Sequence, residues 1–238
     1  MPTYKQNQNS SEIVKSSKVV FADPKKLTIA GPLEIGFTLD ASSSMMRLFA
    51  AAAVGYNAFI DEQQKLGPGA HFTFNTFETR VHPIHGCIPI ESVPSIDASF
   101  LIGNGCGATA LLDGIGDVIR KVGIRFDELR KGGRNPRAII AILTDGAENS
   151  SVTFSQQEIF QMIHYRRTVH AWEFLFICAD EGGERYGLAL GIPKRNICRF
   201  STNPDEIRAL MGRLSKAVGA YRLGDRNFAG YLTDRRPN

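Results

Sequence analysis

The chain is 238 residues long, 43% hydrophobic and 22% charged, with a formal net charge of +4. That is enough apolar material for one sizeable core, and a single α/β domain with tails suits it better than two small domains. The positive charge is modest and forms no stripe of Lys and Arg interleaved with aromatics, so no nucleic-acid partner is expected.

No apolar stretch approaches the ~20 residues that cross a bilayer, so no membrane partner is expected. Residues 1–17 are polar and lack the apolar segment of a secretory signal. Cys87, Cys106, Cys178 and Cys198 are widely spaced and include no C-x-x-C pair, which favours thiols in a reducing compartment. A cytoplasmic protein is therefore expected.

Residues 1–26 read as a polar N-terminal arm, and an apolar strand follows at 32–39. Directly after it stands Asp40-Ala41-Ser42-Ser43-Ser44, which gathers a carboxylate and hydroxyls on a loop at a strand end. Oxygen donors of this kind suit a hard divalent cation such as Mg²⁺. Met45, Phe49, Ala52, Tyr56, Phe59 and Ile60 then recur at helical spacing until Gly67-Pro68-Gly69 ends the pattern. Segments 71–77 and 81–90, joined by the short link Glu78-Thr79-Arg80, predict an antiparallel pair.

A glycine-rich loop, Gly103-Asn104-Gly105-Cys106-Gly107, precedes a helix in which Leu111, Leu112, Ile115, Val118, Ile119 and Val122 share a face. Residues 137–143 form a continuous, β-branched apolar run, the mark of a strand buried on both faces, and end in Thr144-Asp145-Gly146. Ser155 opens a helix that runs to Arg167, with Glu158 completing a capping box. A strand at 172–179, a short helix at 184–190, a strand at 197–200 and a helix at 204–220 follow. The basic tail at 221–238 is expected to be largely solvated, although Tyr221, Phe228 and Tyr231 offer docking residues. This alternation predicts an α/β fold, with a doubly wound, mainly parallel central sheet, one antiparallel edge strand and helices on both faces. In such sheets ligands bind at the carboxyl ends of the strands, where Asp40 and Asp145 both fall.

Three segments, Asp40-x-Ser42-x-Ser44, Gly107-Ala108-Thr109 and Thr144-Asp145-Gly146, stand in this order on that alternation. Together they resemble the von Willebrand factor type A domain family, over the span 27–220 read as the domain. The resemblance implies the family's Rossmann-like fold and its metal-ion-dependent adhesion site. Ser42 and Ser44 would bind the metal through their hydroxyls, and Thr109 would be the third protein ligand when the site is open to a partner. Asp40 and Asp145 would act mostly through coordinated waters. The implied cofactor is Mg²⁺, with Mn²⁺ or Ca²⁺ as alternatives, and the implied partner is a protein that completes the cation with an Asp or Glu. Ligands that are neutral hydroxyls leave much of the ion's charge uncompensated, which strengthens the pull on such a carboxylate. The implied role is a non-enzymatic scaffold or adaptor of the small cytosolic bacterial or phage type, and residues 172–180 are similar to the matching strand and loop of small bacterial members. Glu148 and Asn149 look like the family loop and are expected to shape the site rather than coordinate.

Other readings compete at each element. Asp40, Ser42 and Thr109 could cap helices, and Asp145-Gly146 could be an ordinary turn. Gly103-x-Gly105-x-Gly107 before a helix raises a nucleotide-binding regulatory protein, but it misses the G-x-G-x-x-G spacing and the P-loop lysine. Two aspartates with Mg²⁺ raise a hydrolase, but no G-x-S-x-G elbow appears and no histidine is expected near either metal loop. His82-x-x-His85-x-Cys87 carries zinc-type donors without an evident fourth ligand and reads as a bend. Cys106 is expected to bury as a small apolar residue.

Overall fold

Leu33–Asp40 forms strand β1, and all of its residues are buried because parallel neighbours flank it on both sides. Leu33, Ile35, Phe37 and Leu39 enter one core, while the two-residue period of the strand turns Glu34, Gly36, Thr38 and Asp40 to the opposite face. The computed structural model describes residues 31–233, so the arm at 1–26 lies outside the described residues.

Five further strands complete the sheet among the described residues: β2 (Ala70–Phe77), β3 (Val81–Pro89), β4 (Arg137–Thr144), β5 (Glu173–Cys178) and β6 (Ile197–Arg199). Their order is β3-β2-β1-β4-β5-β6, and only the β2–β3 pair is antiparallel. The chain winds outward from β1 to β3, then returns to place β4 on the other side of β1. That reversal opens a crevice above the carboxyl ends of β1 and β4, the position where open α/β sheets bind ligands.

Helices α1 (Phe49–Lys65) and α6 (Pro204–Arg222), with the short α2 (Ala98–Gly103), cover one face. Helices α3 (Leu111–Lys131), α4 (Gln156–His170) and α5 (Glu181–Ala189) cover the other. Under α1, the rings of Phe37, Tyr56, Phe59, Phe72 and Phe74 pack with centroids 4.9–6.5 Å apart. Under α3, Trp172 meets Phe126 edge-on at 5.1 Å.

The sequence-based elements differ from the observed ones in three instructive places. Met45 lies in a 3₁₀ segment, Ser43–Leu48, and α1 begins only at Phe49. Helix α2 was not expected; its signal is Asp97, whose carboxylate accepts the Phe100 amide at 2.8 Å. The tail expected to be solvated from residue 221 is instead docked as far as the described chain goes. Helix α6 continues to Arg222, and the 3₁₀ turn Phe228–Thr233 buries Phe228, Ala229 and Leu232 in the α1/α6 core. Tyr221 and Phe228 meet edge-on at 4.9 Å, which is the contact that draws the tail in. The Arg222 guanidinium closes the end of α1 by donating to the carbonyls of Gln63 (2.6 Å), Pro68 (3.0 Å) and Gly67. No helix among the described residues is long and apolar enough to cross a membrane.

Candidate metal centre

Strand β1 ends by carrying Asp40, fully buried, into the crevice beside the end of β4. Its Oδ1 accepts the Ser42 amide at 2.8 Å, and its Oδ2 accepts the Thr144 hydroxyl at 2.5 Å. The Ser42 and Ser44 hydroxyls are 3.0 Å apart, and Ser44 Oγ donates to Asp145 Oδ1 at 2.6 Å. Since Ser44 has a single hydroxyl proton, Ser42 is the donor in the first contact, and a relay runs from Ser42 through Ser44 to Asp145. Thr109 closes the cluster from a third loop. A methyl group placed on Gly146 would lie 3.2 Å from Thr109 Oγ1 and 3.8 Å from Asp40 Oδ2, so both oxygens border the same backbone position. The structure thus brings together all five residues singled out from the sequence, Asp40, Ser42, Ser44, Thr109 and Asp145.

Three sets of hydrogen bonds hold the loops in place. The Cys106 amide donates to Ala41 O (2.9 Å), the Ser43 amide to Gly107 O (3.2 Å), and the Gly107 amide to Ser43 Oγ (3.0 Å). This clasp requires φ of +81° at Cys106 and +147° at Gly107, and a Cβ on Gly107 would collide with the Glu78 carboxylate and the Thr79 hydroxyl. Asn149 clamps Thr109 from above, with Oδ1 accepting the Thr109 amide (2.8 Å) and its own amide donating to Thr109 O (3.1 Å).

Glu148 sits at the N-terminus of α3, where its carboxylate accepts the amides of Leu112 (2.9 Å), Ser150 (3.0 Å) and Ser151 (2.8 Å). In return Asp113, on the first turn of α3, accepts the amides of Val152, Thr153 and Phe154 at 2.9–3.0 Å. Glu148 and Asn149 therefore position the site through the backbone. Asp113 escaped the sequence reading, and its only signal there is a carboxylate interrupting the apolar run Leu111, Leu112 and Ile115.

Burial raises the Asp40 carboxyl above its ordinary range, the hydrogen bonds from Ser42 and Thr144 oppose this, and the charge of Asp145 adds to it. Burial likewise raises Asp145, against the hydrogen bond from Ser44 and the charge of Arg47. The donor set is two carboxylates and three hydroxyls. Among the described residues no group of three or more His, Cys, Asp or Glu side chains gathers to hold a metal. These hard oxygens fit a cation of the Mg²⁺ type and not a soft one.

The rival readings fare differently. Helix capping does not account for the hydroxyls, because neither Ser42 nor Leu48 makes a side-chain cap and Ala110, not Thr109, occupies the N-cap of α3. A phosphate loop finds no donors, since every amide from Asn104 to Ala110 is already bonded within the protein. His82 Nε2 is 3.0 Å from Glu78 Oε1, and the Glu78 carboxylate borders Gly107. The zinc-type trio diverges, with His82 on Glu78, His85 against the Phe74 ring and Cys87 on Thr73 Oγ1. Cys106 is exposed rather than buried, because the clasp uses only its backbone and turns the side chain outward.

No family model matches the chain, and no curated protein matches it in sequence. Solved structures share its fold. A von Willebrand factor type A protein from Catenulispora acidiphila superposes with a TM-score of 0.52 at 16% identity, covering 78% of this chain and 42% of that one. The vWF domain of the type V pili tip protein Mfa5 from Porphyromonas gingivalis gives 0.52 at 9% identity, covering 81% of this chain and 97% of that domain. Proximal thread matrix protein 1 from the mussel byssus gives 0.53 at 17% identity, covering 79% and 46%. The chain thus spans under half the length of the Catenulispora and byssus proteins. With a six-stranded sheet, one antiparallel edge and helices on both faces, the chain has an α/β, Rossmann-like fold of the von Willebrand factor type A kind.

Proposed function

We propose that the chain is a protein-interaction module whose oxygen cluster holds a divalent cation and captures an acidic side chain of a partner protein. The observation that carries this reading is the relay from Ser42 through Ser44 to Asp145, joined to Asp40 and Thr109 at the crevice between β1 and β4. Ser42, Ser44 and Thr109 would hold the cation, and Asp40 and Asp145 would orient its waters. A bound Mg²⁺, with Mn²⁺ or Ca²⁺ as substitutes, supplies a positive centre that attracts a carboxylate.

The chain's own residues supply the rest. The Ser43–Gly107 clasp and the Asn149–Thr109 clamp fix the hydroxyls without placing charge on them. Ser44 is exposed while Asp40, Ser42 and Thr109 are buried, so the cluster meets its surroundings on the Ser44 side. The proteins that share the fold include one named as a pili tip protein and one as a byssus thread matrix protein, which supports an interaction role over an enzymatic one. A cytoplasmic scaffold or adaptor without nucleic-acid or membrane partners is the role we infer, resting on the composition and the cysteine spacing.

Titrating Mn²⁺ and Mg²⁺ into the full chain by calorimetry tests the proposal. One site is expected in the wild type and none in Asp145→Ala or Ser42→Ala, with circular dichroism unchanged. A wild type that takes up neither cation, or an Asp145→Ala chain that binds both as the wild type does, sinks the reading. Phosphatase or esterase turnover abolished by Asp145→Ala would replace it with a hydrolase.

A further inference from the structure

Arg47 stands three residues after Ser44 in the 3₁₀ turn Ser43–Leu48, where side chains at i and i+3 eclipse one another. Burial along the turn follows that period: Met45 and Leu48 are buried, while Ser44 and Arg47 are exposed. Arg47 therefore lies on the line of Ser44, the side on which the oxygen cluster meets its surroundings. Its guanidinium donates to the neutral hydroxyl of Thr202 at 3.0 Å, which anchors it against the loop after β6. Among the described residues it forms no ion pair. Burial raises the Asp145 carboxyl and the Arg47 charge opposes that rise, so the guanidinium stands within electrostatic reach of the cluster.

The carboxylates of the surrounding loops do not answer this charge. Glu148 is occupied by the amides of Leu112, Ser150 and Ser151, and Asp113 by those of Val152, Thr153 and Phe154. Glu78 is occupied by the Thr79 amide and His82. The rim of the cluster thus carries a held guanidinium with most of its donors unused.

We propose that Arg47 binds a second carboxylate of the partner, two residues along an extended segment from the carboxylate captured at the cluster. The proposal rests on the reading of the cluster as a cation and carboxylate site, and it narrows the partner to a segment with an acidic residue, any residue and another acidic residue. Spacing supports it. One 3₁₀ turn advances about 6 Å, which is the offset along the turn from Ser44 to Arg47. Side chains at i and i+2 of an extended strand share a face and stand about 7 Å apart, a matching distance. Chemistry supports it too, because a guanidinium pairs with a carboxylate through two parallel hydrogen bonds. A basic residue at the second position would meet a like charge and be rejected.

Calorimetry on the Mn²⁺-loaded full chain tests the assignment, with capped peptides carrying Asp-Gly-Asp or its single-acid forms Asp-Gly-Asn and Asn-Gly-Asp. The wild type is expected to bind the two-acid peptide about three- to tenfold more tightly than either single-acid one, and added NaCl should shrink the margin. Arg47→Gln should erase the margin with little effect on the single-acid peptides. Its Mn²⁺ affinity should equal or exceed that of the wild type, because the change removes a like charge. If Arg47 served only to tie the turn to Thr202, its loss would weaken all three peptides alike. That parallel loss, a margin that survives Arg47→Gln, equal affinities in the wild type, or Mn²⁺ uptake without binding of any peptide would each overturn the proposal while leaving the cation site standing. A fall in Mn²⁺ affinity in Arg47→Gln would overturn it by making Arg47 part of the framework of the cation site. A wild type that takes up no Mn²⁺ would overturn it together with the reading on which it rests.

Discussion

A single methyl at Gly146 probes the oxygen cluster more sharply than removal of a ligand does. It would lie 3.2 Å from Thr109 Oγ1, a contact tight enough to displace the hydroxyl by a few tenths of an ångström. Gly146→Ala should leave the fold intact and lower Mn²⁺ affinity by about tenfold, within the range seen when a metal site's supporting shell is disturbed. Calorimetry on the variant checks this, and unchanged affinity would remove Thr109 from the proposed ligand set. A second residue-scale effect concerns Glu34, buried on the α3 face with Oε1 held by Arg125 Nε at 3.0 Å and Oε2 buried without a hydrogen-bond partner among the described residues. Burial outweighs the charge and hydrogen bond of Arg125 and moves its pKa from 4.5 up to about 7. The folded state thus binds the proton more tightly than the unfolded chain. The associated stability is fully present below pH 4.5 and is lost as pH rises through about 7, by about 3 kcal/mol at most. Neighbouring His71, whose pKa burial lowers, works in the opposite direction within the same window. Urea unfolding at pH 4.5 and pH 8 should therefore find Glu34→Gln gaining on the wild type at the higher pH. A constant difference between the two proteins would refute the assignment.

At the scale of elements, the exchange of carboxylates between α3 and the loop after β4 does the positioning. Glu148 accepts the Leu112 amide at the start of α3, and Asp113 of α3 accepts the amides of Val152, Thr153 and Phe154. Asp113→Ala leaves those three amides without their acceptor and should cost about 2–4 kcal/mol, given the usual worth of hydrogen bonds to a charged group. Denaturant unfolding measures the loss, and faster hydrogen exchange confined to 148–154 would locate it. Element starts with local chemistry were legible in the sequence: Ser155 and Glu158 form the capping box of α4 in the structure. Helix α2 was not legible, because six residues hold too few apolar positions to show a helical period.

For the whole molecule, a cation bound only by the folded chain must stabilise it. At a hundred times its dissociation constant the gain is about 2.7 kcal/mol, and for a chain of this size that raises Tm by about 5–10 °C. Thermal unfolding with Mg²⁺ and with chelator should show the difference in the wild type and none in Asp145→Ala. The bonds that assemble the site join segments far apart in the chain. Thr144 and Asp40 are 104 residues apart, and Ser44 and Asp145 are 101 apart.

The amino-acid sequence by itself determined the alternation of strands and helices, the antiparallel edge, the placing of Asp40, Ser42, Ser44 and Asp145 on loops after strands, and that of Thr109 just before a helix. Each of these follows from local patterns: a two-residue or 3.6-residue apolar period, a turn, or a donor-rich loop after a buried run. Only the tertiary structure decided that β4 lies against β1, which delivers the Thr144 hydroxyl to Asp40. It also decided that Glu148 and Asp113 trade amides, that Cys106 faces outward, and that Phe228 and Leu232 return the tail to the core. Those outcomes depend on contacts between segments far apart in the chain, whose pairing is chosen by strand order and packing and leaves no periodic trace in any one segment.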